Sequence, residues 1–308
     1  MVGGTVCVTG GLGFVGSRVC HELLDRGRPV RCVDSLVGSY APGNGPAAAS
    51  ALAARGAEIV HVHAGVASDE LTLAGAEAVI HLAALPGVRT PRPFATLWRE
   101  NTRATEQLAR AAAERGARFV LASTSSVYGD AVHVPTPEDA PPSPLGPYAV
   151  SKLAAERACL TAARELGADA VIVRLFTVYG PGQRPDMAFA RWIAAMQAGK
   201  PIPWHAAPGT ARDFTYVDDA VAGLIAALRH GRSGEAYNVS GWRAVDLRDA
   251  LGLLGAPEIE ELPCSSAEGL VTSGCGHKAA TELGYAPRIE LADGLRRQLG
   301  ATALSLAA

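Results

Sequence analysis

The chain has 308 residues, 48% of them hydrophobic and 19% charged, with Lys+Arg 28 against Asp+Glu 30 and a formal net charge of -2. So apolar a composition excludes a disordered or fibrous chain, and the length gives ample chain for a buried core in one large or two smaller domains. The balanced charge leaves no basic footprint for nucleic acid and no polybasic membrane patch, and the apolar runs stop well short of the ~18–20 residues that span a bilayer.

In chain order, Thr5–Thr9 (TVCVT) predicts a fully buried strand. Glycines follow, then a helix over Phe14–Arg26 with Val15, Val19, Leu23 and Leu24 at helical spacing. Pro29–Val33, Glu58–His63 and Ala78–Leu82 predict further strands, separated by a low-complexity loop over Gly38–Ser50. Leu97–Arg115 predicts a helix, Arg118–Ser123 a fifth strand, Tyr148–Leu166 a helix and Ala170–Leu175 another strand, with a Pro-rich, turn-prone stretch at Gly129–Pro147. Buried strands that alternate with helices specify an α/β fold of Rossmann type, a doubly wound parallel sheet. After about Gly180, stretches such as GPGQRP and GKPIP loosen the pattern into a smaller C-terminal substrate lobe. Residues 1–180 are expected to form the first domain and residues 181–308 mainly the smaller lobe, with part of the later chain returning to the first domain.

The N-terminal segment enters a strand pattern at once, so no signal peptide is expected and the location expected is cytoplasmic. The six cysteines have no paired or zinc-type spacing, so reduced thiols and no metal site are expected.

Three elements carry chemistry. Gly10-Gly11-Leu12-Gly13-Phe14-Val15-Gly16 lies between the first strand and the first helix. Glycines there allow a tight turn and a close approach to a pyrophosphate, which the free N–H groups of the helix would bind. Asp34 closes the second strand, where an acid accepts bonds from the adenosine ribose and repels a 2′-phosphate, so NAD is the expected cofactor. Tyr148 and Lys152 stand four apart on one helix face. A nearby cation favours phenolate, and a phenolate can take a proton from a substrate hydroxyl. The run Ser123-Thr124-Ser125-Ser126 follows the fifth strand, at the end of the sheet where ligands bind.

These elements, in this order, resemble the extended short-chain dehydrogenase/reductase family, in particular its NAD-dependent nucleotide-sugar epimerases and dehydratases. The likeness runs on through His81-Leu82-Ala83-Ala84, Asn101, Arg174–Pro181 and Arg212–Asp219. It implies that Thr124, Tyr148 and Lys152 are catalytic and that Leu82, Ala83, Ala84 and Asn101 join the cofactor site. Dehydratases of this family typically carry Asp-Glu after the catalytic Thr; here Ser125 and Ser126 stand there. Gly87-Val88-Arg89, the Ser/Thr run, Thr177 and Gln183–Phe189 are most similar to UDP-glucuronate 4-epimerases. The resemblance therefore implies C4 epimerisation of a UDP-hexuronic acid. Ser125, Ser126, Thr177 and Arg184 would meet the carboxylate, and Gly87, Val88, Arg89, Met187 and Arg212 would line the rest of the substrate site. The alternative is a dehydratase or ketoreductase acting on another activated sugar.

The sequence also departs from the family pattern. Ala206–Gly209 replaces a Gly-Asp-Gly loop, Pro263–Glu268 lacks the usual diphosphate-binding Arg, and Ala64-Gly65-Val66 lacks the acid that meets the adenine. The likeness further implies a homodimer, built through the helices near Leu97–Arg115 and Tyr148–Leu166, with Leu108, Ala112, Leu153 and Ala155 as compatible apolar positions.

Overall fold

The computed structural model describes all residues except 1–2, 38–39, 42–43, 63–72, 87–91, 131, 256, 265–268 and 307–308. Six parallel strands come first: β1 (Thr5–Thr9), β2 (Val30–Asp34), β3 (Glu58–His61), β4 (Ala76–His81), β5 (Arg118–Thr124) and β6 (Ala170–Leu175). Their helices are α1 (Phe14–Asp25), α2 (Pro46–Ala54), α3 (Ala104–Glu114) and α4 (Gly146–Leu166). The strands alternate between two cores, as a period of two dictates for a sheet covered on both faces. Val6, Val8, Val120, Ala122, Val171 and Val173 face one core, with α1 and the later helix Val217–His230. Cys7, Phe119, Leu121, Ala170 and Ile172 face the other, with α3 and α4.

The second half builds a lobe and then returns. β7 (Thr177–Tyr179), β9 (Ala211–Tyr216) and β11 (Ala244–Asp246) form a three-stranded sheet, and β8 (Ile202–Trp204) pairs with β12 (Ile259–Glu261). These sheets, α5 (Ala188–Gln197), α7 (Leu247–Gly252) and α8 (Leu291–Leu306) pack round a third core that contains Tyr179, Phe189, Trp192 and Trp204. α6 (Val217–His230) lays Val221, Leu224 and Ile225 back on the first core, and β10 (Ala236–Val239) pairs in parallel with β6. Among the described residues the main sheet thus has seven strands, ordered β10-β6-β5-β4-β1-β2-β3. The order reverses between β1 and β4, so a crevice opens beyond their carboxyl ends.

Two predicted elements are corrected. The loop expected over Gly38–Ser50 gives way to α2 at Pro46: proline at the first helical position and an Ala-rich sequence favour a helix once Gly45 turns the chain at φ 62°. The helix expected over Leu97–Arg115 is interrupted. A turn at Phe94–Leu97 leads into a π-helical stretch, Trp98–Arg103, before α3 begins. That wide turn carries Asn101, whose buried carboxamide accepts from Leu85 N and donates to Leu85 O and to Ser151 Oγ.

A column of buried polar groups joins β5, β6 and α4. Glu156 accepts from Arg174 Nη2 at 2.8 Å and from Ser123 Oγ at 2.5 Å. Arg174 Nη1 also donates to Tyr128 Oη, which donates in turn to Asn238 Oδ1 on β10. The Glu156 and Arg174 side chains are only 2% and 8% exposed, so neither charge has water to fall back on. Glu156→Gln, which leaves Arg174 buried without its counter-charge, is expected to cost about 3 kcal/mol or more in urea unfolding. In a double-mutant cycle, Glu156→Leu with Arg174→Met should cost less than the sum of the two single changes.

Candidate active site

The glycine loop is packed to contact. Gly10 lies at φ +68°, and a Cβ there would fall 2.7 Å from Ala83 N. A Cβ on Gly16 would sit 2.1 Å from Gly10 O, so only glycine lets α1 start this close to the loop. Gly13 caps α1 without a side-chain bond, and no acid occupies the first turn. The helix therefore presents open N–H groups and its positive dipole end to the crevice.

Asp34, buried at the end of β2, accepts from Leu12 N at 3.0 Å through one oxygen, and from Leu36 N and Tyr40 Oη at 2.9 and 2.7 Å through the other. The carboxylate thus braces the glycine loop while it lines the cavity. Tyr40 lies in the low-complexity stretch and carried no sequence signal. On β4, buried His81 bonds Thr9 through Nδ1 at 2.6 Å and Thr105 through Nε2 at 3.0 Å. The Thr105 hydroxyl already donates to Asn101 O, so Nε2 carries the ring proton and Nδ1 accepts from Thr9. Burial, then the Lys152 charge, lower the His81 pKa to about 3, so the ring is neutral.

A cavity of about 600 Å³ runs from the glycine loop to the lobe. Of the expected cofactor residues, Gly10, Gly13, Phe14, Val15, Gly16, Asp34, Leu82, Ala83 and Ala84 line it. Asn101 is not part of that wall but clamps Leu85, which is. Thr124, Tyr148 and Lys152 line it as well. Thr124 ends β5 and caps the Ser125–Tyr128 turn by accepting from Ser126 N at 3.2 Å. Its hydroxyl lies near enough to Tyr148, at the start of α4, to act on the phenol. Burial raises the Tyr148 pKa, against the Arg184 charge and the nearby Thr124 hydroxyl, which lower it. One turn along, buried Lys152 donates through Nζ to Ala122 O at 2.9 Å. Burial lowers its pKa to about 8, opposed by the Glu156 charge.

Toward the lobe, Ser125, Ser126, Thr177, Arg184, Met187 and Arg212 line the same cavity. Arg212 Nη1 donates to Ala211 O and Leu270 O. Gly87, Val88 and Arg89, the 64–66 stretch and residues 265–268 lie outside the described residues. Two further wall residues stand out: Arg92, whose buried Nε has no hydrogen-bond partner among the described residues, and Asp186, which grips Arg184.

This glycine cradle, the open helix end and an acid closing β2 fit a dinucleotide. Residues 6–240 match the family model described as the NAD dependent epimerase/dehydratase family, and the chain belongs to that family. It is an NAD-dependent enzyme. The chain is 33% identical over 309 residues to the UDP-glucuronate 4-epimerase of Thermodesulfobacterium geofontis, covering 96% of this chain and 94% of that one. It is 32% identical over 306 residues to the dTDP-glucose 4,6-dehydratase of Streptomyces griseus, covering 94% and 90%. Among solved structures, the UDP-glucuronic acid 4-epimerase of Bacillus cereus, in complex with UDP-glucuronic acid and NAD, superposes with a TM-score of 0.92 at 33% identity, covering 98% of this chain and 99% of that one.

The depressed pKa of Lys152 makes a stability prediction. A lysine whose folded pKa lies below its unfolded value costs nothing above the unfolded pKa of ~10.4, and its cost grows as pH falls toward 8. Below about pH 8 the full penalty, on the order of a few kcal/mol, is present. Lys152→Met should therefore raise the melting temperature of the nucleotide-free protein at pH 7, with the gain fading as pH rises through 8 toward 10, while turnover is lost.

Proposed function

We propose that the protein catalyses C4 epimerisation of a UDP-hexuronic acid, converting UDP-glucuronate to UDP-galacturonate through a transient 4-keto sugar. The observation that carries this reading is the company kept by Tyr148. The Thr124–Tyr148 pair shares its cavity with Ser125, Ser126, Thr177 and Arg184, a set of hydroxyl donors and a cation suited to a sugar carboxylate. The relatives named above that act on UDP-glucuronate support the same choice.

In this reading Gly10, Gly13, Phe14, Val15 and Gly16 receive the cofactor's pyrophosphate and Asp34 its adenosine ribose, with Leu82, Ala83 and Ala84 along the wall. NAD, when bound, supplies the reversible hydride chemistry at C4. Thr124 Oγ1 orients the reacting hydroxyl. Tyr148 Oη takes the proton from that oxygen and later returns it. The Lys152 ammonium favours the phenolate and binds the nicotinamide ribose. Ser125, Ser126, Thr177 and Arg184 hold the carboxylate while the keto sugar turns over. Gly87, Val88, Arg89 and Met187 complete the sugar pocket, and Arg212 holds the diphosphate. Residues 181–308 thus act mainly as the nucleotide-sugar lobe on a Rossmann domain of residues 1–180.

A dehydratase or ketoreductase on another activated sugar is the alternative reading. It rests on the departures at Ala206–Gly209 and Pro263–Glu268 and on the dehydratase relative. The described carboxylates on the cavity wall are Asp34, Glu100 and Asp186, and each is engaged: by Leu12 N, Leu36 N and Tyr40, by Arg99, and by Arg184. An elimination needs a free acid and base beside the ring, and this disfavours it.

Purified protein given UDP-glucuronate should yield UDP-galacturonate at equilibrium, read by NMR of the sugar. A keto or unsaturated product would replace this reading with the alternative. Tyr148→Phe should lower kcat by roughly 10²–10⁴-fold while NAD stays bound, measured by nucleotide release on denaturation.

Among the described residues no helix is long and apolar enough to cross a membrane, and we place the enzyme in the cytoplasm. We also propose a homodimer through the Phe94–Glu114 and α4 region. The positions expected to serve it, Leu108, Ala112, Leu153 and Ala155, are instead buried within the chain's own cores. Among the described residues, Phe94, Trp98, Val150 and Leu166 are the large apolar side chains left exposed there. Trp98→Glu with Val150→Glu should yield a monomer in analytical ultracentrifugation where the unaltered chain sediments as a dimer.

A further inference from the structure

Arg184 and Asp186 face each other across a single proline. Arg184 Nε donates to Asp186 Oδ1 and Nη2 to Oδ2, each at 2.9 Å, the two-pronged geometry in which a guanidinium binds a carboxylate most strongly. Both side chains line the cavity, and both are 33% exposed. Arg184 is close enough to Tyr148 for its charge to act on the phenol. The cation best placed to receive a sugar carboxylate therefore already holds one, supplied by the chain itself.

The turn beneath the pair is fixed. Gln183 N donates to Gly180 O, Gln183 Nε2 to Val178 O, and Met187 N to Arg184 O. Gln183 Oε1 accepts from Ala190 N and from Gln298 Nε2 of α8, and both glutamines are buried. With the backbone held on both sides, opening the ion pair needs only side-chain rotation into the cavity.

The charges set the consequence. A neutral hydroxymethyl group that enters beside Ser125, Ser126 and Thr177 meets a closed, neutral pair. A carboxylate at the same place gains Arg184 only by displacing or sharing Asp186, and it feels the like charge of Asp186 throughout. We propose that Asp186 is a specificity-determining residue, a built-in carboxylate that occupies Arg184 until an acidic sugar takes its place and so sets the preference between hexuronate and neutral hexose. The inference rests on the hexuronate reading above.

The test is titration calorimetry on the NAD-loaded protein with UDP-glucuronate and, separately, UDP-glucose. Asp186→Asn removes the competing charge and should tighten UDP-glucuronate about three- to tenfold while leaving UDP-glucose within about twofold. Asp186→Ser, a smaller neutral replacement, should do the same, and Asp186→Glu should keep the ratio of the unaltered chain. An unchanged ratio in both neutral variants, or equal weakening of both sugars, overturns the role of Asp186 while the functional reading stands. Failure of the unaltered chain to bind UDP-glucuronate overturns the functional reading, and the role of Asp186 with it.

Discussion

Three charges buried between β5, β6 and α4 govern the rest of the site: Lys152, Glu156 and Arg174. An isolated buried charge is too costly to keep, so each depends on its neighbours. Glu156, one helical turn beyond Lys152, offsets part of the desolvation of the ammonium. Arg174 neutralises Glu156, and Ser123, Tyr128 and Glu138 O take up further donors and acceptors of the pair. Ser123 sits beside Thr124, and Tyr128 ends the turn that holds Ser125 and Ser126. Satisfying the buried charges therefore fixes how the hydroxyl run on β5 faces Tyr148 on α4. The burial that shifts Lys152 toward its neutral form is the exchange of stability for function that the proposed role of Lys152 requires.

Much of this was legible in the sequence because the signals were local. A strand buried on both faces reads as a short apolar run, and β1 and β6 match their predicted bounds. The glycine loop was legible because its spacing is a steric requirement, and Tyr148 and Lys152 because a helix brings residues four apart together. What stayed hidden depends on partners distant in the chain or on packing direction. The contact of Asp34 with Tyr40 crosses a stretch of low complexity. The π-helical turn at Asn101 answers to Leu85 and Ser151, not to local propensity. Leu108, Ala112, Leu153 and Ala155 looked equally able to face a partner or the core, and only packing against the sheet decided it. Asp186 was in view within Gln183–Phe189, but a carboxylate two residues from an arginine gives no sign of whether it points at it.

The lobe owes its precision to the chain's return. α6 and β10 anchor residues after 216 on the main sheet, and α8 then reaches back so that Gln298 bonds Gly180 N and Gln183. The segment Gly180–Met187, which carries Arg184, is thus held from the C-terminal helix as well as from β7. On the other side, Arg18 of α1 donates to Pro181 O and Asn44 to Gly182 O. A turn gripped by both the cofactor half and the lobe keeps its cation in a defined place relative to Tyr148, the pre-organisation that a charge-based choice of substrate requires.

The same scaffold serves epimerases and dehydratases among the relatives, so fold alone does not choose between outcomes. The choice lies in the few groups beside the Thr124–Tyr148 pair. Serines after Thr124 offer hydrogen bonds but no proton acceptor strong enough to draw a proton from carbon. Loss of a ring proton and expulsion of a hydroxyl both need groups free to accept and donate. On the proposed reading, with serines in place of an acid pair after Thr124, the keto sugar leaves by return of hydrogen to the carbon it left. Hydroxyl donors that can re-form their bonds in either ring orientation lose little when the sugar presents its other face. On the proposed reading, a site that places hydroxyls where the dehydratases of the family carry an acid pair thus favours inversion over elimination.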